Sequence, residues 1–463
     1  MQTCNERDTE RLADGTPYPH DPPVTLAVPA GASAAPLSIP EADDEEPCPR
    51  RVQTFLFLVP LLLVVASIVF LVIYFSTHRS SEALPTTLFS EGLLPVAIST
   101  TDADGEAKLL WGYIDRDGKT VIEHRFEHAR DFAPNGYAAV SFDGLWGYID
   151  RSGNFVIEPQ FEAATDFSQY DLACVKSDGS WGYVNQKGAM VINPQFDGAE
   201  TFTSVGLALV CIGEKYGYIN RAGVYVIPPQ FEDAKSFGAD GTAAIYAFGK
   251  WGMIDKKGEY VINPQFDSLG AFAKNGLARI SKDGKYGFID KEGVYVVRPT
   301  YEYAEAFADN GLALVQINGK YGFINKKGEV VIAAEFEDAH SFTANGLALV
   351  RKSDKYGFIN KNGDFEIAAR FLQSSDFSQD LAAVQTDADS PFYYIEKNGK
   401  VAFTCDEDCL APLDFFDDGY SLLLYLDEET GKIVYTVIDR SGKAINDTRY
   451  AAVSERALTK ILQ

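Results

Sequence analysis

A five-residue phrase, aromatic-Gly-aromatic-Ile-Asp/Asn, governs what this chain can fold into. Best seen as Trp146-Gly147-Tyr148-Ile149-Asp150, it starts at Trp111, Trp146, Trp181, Tyr216, Trp251, Tyr286, Tyr321 and Tyr356, each 35 residues after the last. All four tryptophans of the chain stand in this one column. A fixed period of roughly 20–50 residues marks a repeat architecture, in which a small unit buries its apolar face only against its neighbours. Most of the 463 residues therefore read as one array rather than as separate globules.

Within a unit the period falls to two. Gly311-Leu-Ala-Leu-Val-Gln alternates, as a strand does, and Asn318-Gly319 follows as a tight hairpin that favours positive φ at both residues. Asp143-Gly144, Asp178-Gly179 and Asp283-Gly284 repeat that turn. Tyr321 to Asn325 is a second strand, Lys326-Lys327-Gly328 turns the chain, and Glu329 to Ile332 is a third. The turn glycine recurs seven residues after each anchor aromatic and reads as a left-handed loop position. An irregular connector then leads to the next unit. The fold expected is an all-β repeat array, one three-stranded meander per 35 residues. Three strands are few for a propeller blade and ten units are many for a ring, so an open twisted solenoid is favoured, with a closed propeller-like ring as the alternative.

Other columns supply the core. Alanine holds position 138 and every 35th residue through Ala383, and phenylalanine holds position 132 and every 35th through Phe377. Phe126 starts a further column in which Tyr301 alone departs from phenylalanine. Each buried ring removes about 150–250 Å² from water, enough to supply most of the attraction between neighbours. The glycine after each anchor is expected to let a neighbouring ring lie on bare backbone. Residues 80–110 read as a divergent first strand, with Gly92-Leu93-Leu94 ahead of an insertion. The copies at Phe392 to Glu396 and Tyr435 to Asp439 have lost the glycine of the phrase and read as caps of an open array.

Residues 1–53 are rich in Pro, Ala and acid and are expected to be a disordered cytoplasmic arm. Phe55 to Phe75 then runs 21 residues without a charge. At 1.5 Å per residue that is about 32 Å of helix, the thickness of a bilayer's hydrocarbon core. One transmembrane helix is therefore expected over 54–76, followed by a linker at 77–87, repeats at 88–390 and degenerate C-terminal repeats with a cap at 391–463. Arg50 and Arg51 on the near side outnumber Arg79 on the far side, which points to a cytoplasmic N-terminus and an exported array. A bacterial inner membrane with a periplasmic repeat domain fits this order.

The phrases at 145–153 (LWGYIDRSG) and 320–328 (KYGFINKKG), followed by Val-Ile-x-Pro-x-Phe as at 191–196, resemble the bacterial WG-repeat family over about residues 90–400. Four copies carry Tyr in place of the name-giving Trp. The resemblance implies a β-rich module with a binding role, and it brings no catalytic residues.

Chemistry is sparse. The five histidines include His124 and His128, whose spacing of four suits a helical metal site but falls on a strand and connector. Asp115-Arg-Asp117-Gly118 and Asp290-Lys-Glu-Gly293 read as turns and not as calcium loops. No catalytic, cofactor or metal site is expected, and no enzyme activity. Cys405 and Cys409, on a loop between the last two units, are expected to close a small disulfide in an oxidising compartment. With 66 acidic against 41 basic residues the chain carries −25, which repels nucleic acid. The expected partner is a protein. A glycan or peptidoglycan stacked on exposed aromatics, such as Tyr301 and Tyr303, is the alternative, and the exposure of the anchor rings separates the two.

Overall fold

Strand-forming alternation resolves into ten separate sheets. The structure, a computed structural model, describes residues 86–101, 105 and 107–451, all within the second of the chain's two units, residues 80–463. No helix occurs among these residues. The expected arm at 1–53 and membrane helix at 54–76 lie outside them.

Each sheet is an antiparallel meander. Blade 1 has three strands, Leu94–Thr101, Ala107–Ile114 and Thr120–Phe126. Blades 2 to 10 have four and span 128–161, 163–196, 198–231, 233–266, 268–301, 303–336, 338–371, 373–404 and 409–451. The three-stranded unit expected from the sequence is thus corrected. In blade 8 the additional strand is Asp338–Ala339, two residues of the connector that pair with Arg351 and Val350. Two residues are too few to show alternation, so the pattern gave no sign of them.

The glycine of the phrase follows from one bulged pairing. In blade 2, Trp146 pairs with Phe161, Tyr148 with Ile157 and Ile149 with Phe155, so the last strand carries extra residues and bends over Gly147. A Cβ on Gly147 would meet Ile157 O at 2.6 Å and Pro159 N at 2.8 Å. The same backbone approach, at 2.5–2.7 Å, recurs at Gly112, Gly182, Gly217, Gly252, Gly287, Gly322 and Gly357. What lies on the glycine is therefore the unit's own last strand and not a neighbouring ring. Blade 9 pairs Tyr393 with Thr404 and Tyr394 with Phe403 without that shift, and there a tyrosine replaces the glycine.

Sheets meet face to face through repeated contacts. Tyr148 and Ile157 of blade 2 pack with Phe167, Ala173, Val175 and Val184 of blade 3. The Tyr148 and Phe167 ring centroids are 4.6 Å apart, and Tyr148 Oη donates to Thr165 O at 2.8 Å, which satisfies a fully buried hydroxyl. The alanine column is buried throughout, and the phenylalanine column is buried except at Phe272, where the connector strand Ser268–Phe272 is longer. The turn glycine has the expected left-handed φ, +83° at Gly153, and rests on Ile122 of the preceding blade.

Ten sheets form ten such clusters, whereas an open stack of ten would have nine. The tenth joins the ends: Leu88, Phe89, Leu94, Val96 and Ile114 pack with Leu413, Leu422, Leu424, Tyr435 and Val437. Leu88 N and Phe89 N donate to the Asp418 carboxylate at 3.1 and 2.9 Å, Asp417 N donates to Thr86 O, and Asn446 Nδ2 donates to Gly118 O. The described residues form a closed ten-bladed β-propeller, and the open solenoid is overturned. Its divergent final units are not caps, because they meet blade 1. In an open array the outer faces of blades 1 and 10 would remain in water, and closure buries both.

Two substitutions test this architecture. Gly182→Ala forces a Cβ to 2.5 Å from Ile192 O and should cost about 3 kcal/mol in urea unfolding. Gly179→Ala, at φ +78° with nothing within 4 Å, should cost about 1–2 kcal/mol. The reverse order would refute the bulge account. Asp418→Ala removes two bonds to a charged acceptor at the seam and should cost about 3 kcal/mol or more. An unchanged melting temperature would mean that the seam does not hold the ring.

Candidate functional site

Because every blade repeats one strand order, the Asp-Gly hairpins rise from one side of the ring and the Asx turns from the other. On the hairpin side an acidic column caps each turn. Glu127 Oε2 accepts from Gly144 N at 2.8 Å, Glu162 Oε1 from Gly179 N at 3.1 Å, Asp197 Oδ2 from Gly213 N at 2.7 Å and Glu302 Oε2 from Gly319 N at 2.8 Å. The bonds from Asp354 N and Ser353 N hold the Glu337 carboxyl below its usual range. Sequence reasoning missed this role, although an acid follows the Phe126-column aromatic in seven successive units. Part of the acidity is therefore structural. On the other side Asp115 Oδ1 accepts from Asp117 N and Lys119 N, and Asp290 Oδ1 from Glu292 N and Val294 N. Both loops that were weighed for calcium use this carboxylate to close their own turn.

The anchor aromatics line the hairpin end of the sheets. Trp111 is buried, and Trp146, Trp181, Tyr216, Trp251, Tyr286, Tyr321 and Tyr356 are half-buried. Cations cover several: Arg130 lies 5.7 Å from the Trp146 ring, Lys235 5.7 Å from Trp251 and Arg279 5.6 Å from Tyr286. His128 stacks on Trp146 at 6.0 Å and 10°. The two sugar-stacking candidates are half-buried as well. Tyr301 Oη donates to Gly328 O, and Tyr303, its hydroxyl pushed up to about 12 by burial and by Glu305, contacts the Tyr286 and Tyr321 rings.

His124, His128 and His340 come to separate places, and His20 and His78 fall outside the described residues. Burial lowers the pKa of His124. His340 Nδ1 lies 2.8 Å from Asp376 Oδ2 of the next blade. This bond raises the imidazole to about 8, and burial pushes nearby Asp414 up to about 6. Sequence reading did not find this junction, because its members lie in connectors of three blades. Cys405 and Cys409 are free thiols where blade 9 passes to blade 10. A hydrogen bond to Cys409, together with burial, pushes the Cys405 thiol well up.

The repeat family WG containing repeat matches residues 111–146, 146–181, 181–216, 216–246, 251–286, 286–321, 321–356 and 356–388. This chain belongs to that family. The WG phrase marks in it the strand that bears the anchor ring and the glycine beneath the bulge. A comparison with curated proteins finds no match. Among solved structures, a eukaryotic initiation factor is similar at 10% identity and a TM-score of 0.44, over 66% of this chain and 94% of its own. Streptogramin B lyase is similar at 15% and 0.27, over 49% of this chain and 89% of its own. At those scores neither bears on function.

The His340 junction has a pH signature. A folded pKa raised above the unfolded value gives stability that is complete below about pH 6.5 and lost as pH rises through about 8. Wild type should melt above His340→Gln at pH 6, and the gap should close by about pH 9. A gap that widens with pH would refute the assignment.

Proposed function

We propose that this chain is a protein-interaction module tethered at a membrane. The observation that carries the reading is the closed ring: apolar blade faces cover one another, which leaves broad faces of hairpins and turns as the surface a partner meets. Repeat arrays commonly bind through such extended surfaces. The uncharged run from Phe55 to Phe75 supports tethering through the bilayer, and the arginine asymmetry supports a single pass with the N-terminus in a bacterial cytoplasm and the ring in the periplasm. In that oxidising compartment the adjoining thiols of Cys405 and Cys409 would yield two electrons and two protons to an oxidant and close a disulfide. A binding role rather than catalysis suits the anchor rings, which hold cations and neighbouring rings. Glycan stacking is the weaker reading, since Trp111 is buried and Trp146 is flanked by His128 and Arg130.

Fractionation and protease access test the arrangement. The full chain should stay in the membrane pellet after a high-salt wash, and spheroplast protease should digest the ring and leave the N-terminal arm intact. Digestion of the ring only after the inner membrane is opened would overturn the topology. Release by salt would overturn the tether.

A further inference from the structure

One hairpin places a bulky aromatic ring where the others carry a small or turn-forming residue. Positions 143, 178, 213, 248, 283, 318 and 353 are equivalent turn residues, and all seven are left-handed, with φ between 50° and 56°. Five are Asp, Asp, Gly, Asp and Asn, types that tolerate this conformation, and the sixth is the small Ser353. The seventh is Phe248, at φ 56° and 85% exposed. A bulky residue in this region is an outlier, and left-handed backbone costs an L residue roughly 1–2 kcal/mol. Leaving the ring in water forgoes its burial as well. Phe248 N donates to Glu232 Oε1 at 3.0 Å, so the turn itself is held like its relatives and does not need the aromatic.

The surroundings suit contact. Tyr246 and Trp251, on the two strands of the same hairpin, stand with centroids 5.4 Å apart and are both half-buried. Ile212, beside the tip of the preceding hairpin, is 36% exposed. Lys250 is tied to Asp267, and at the three neighbouring tips Lys215, Lys282 and Lys285 stand against Asp197, Glu214, Glu232 and Asp283, so that a single negative charge is left over. The tip is thus an apolar knob in a setting of little net charge, the form of a central binding anchor. At longer range the acidic excess of residues 77–463 draws basic surfaces and repels acidic ones.

The geometry points to Phe248 as the anchor by which blade 5 docks into an apolar pocket of a basic partner protein. This rests on the interaction-module reading and names the contact within it. Phenylalanine offers no hydrogen bond to orient a sugar, whereas its rigid ring suits a preformed protein pocket.

The test places a benzophenone amino acid at 248 in the full chain, and separately at Asp178, the equivalent tip of blade 3, in membranes of the native cell. Cross-linked peptides are identified by mass spectrometry. Position 248 should capture an apolar segment of one basic protein, and position 178 should not. The purified partner should then bind Phe248→Asn at least tenfold more weakly than wild type, while that variant melts no lower, because asparagine accepts the turn. Salt should weaken the wild-type complex. A partner captured at 178 and not at 248 overturns the Phe248 assignment and leaves the interaction module standing. Adducts to lipid, to muropeptide or to a second copy of the chain overturn the proposed occupant. No protein captured at either position, together with none co-purifying, overturns both readings. Equal affinity of Phe248→Asn or Phe248→Ala and wild type also overturns the anchor.

Discussion

Everything in this ring depends on how one blade lies on the next. The third residue of the phrase, a tyrosine in blades 1 to 4 and a phenylalanine in blades 6 to 8, sets its ring against the connector phenylalanine that follows, while the turn glycine of blades 2 to 9 rests on an isoleucine or valine of the blade before. Both contacts are short in sequence and repeat at fixed spacing. A thin sheet with two apolar faces cannot remain in water on either side, so each blade requires two neighbours. Closure meets that requirement without special end units.

Much of this was legible in the residues. The 35-residue period, the alternating strands, the Asn-Gly and Asp-Gly hairpins and the buried alanine and phenylalanine columns all come from local rules with fixed spacing. Open or closed is a different kind of question. It turns on the angle between neighbouring sheets, and no single residue encodes that angle. Divergent final copies read as ends, but Leu413, Leu422 and Tyr435 pack against blade 1. The fourth strand was hidden by its two-residue length. The glycine of the phrase was placed correctly and explained wrongly, since its partner is a bulge in its own sheet.

Site features were less legible than the fold. The acidic caps form a visible column, yet a charge after a buried aromatic reads first as a solvated face. His340, Asp376 and Asp414 meet only after three connectors converge. Phe248 was legible in principle, as one aromatic in a column of Asp, Gly, Asn and Ser. Its meaning required the dihedral angle, which turns a mere exposed ring into one held at a cost.

The seam between Leu88 and Asp418 spans 330 residues, while each other junction joins chain segments about one repeat apart. Such a topology separates the order of assembly into two regimes. Internal junctions are local and can zip in sequence as the chain emerges, but the last one must wait for nearly all of the rest. Until then, the apolar faces of blades 1 and 10 are open surfaces on an otherwise folded body, and the finished ring is the first species in which neither can recruit a stranger.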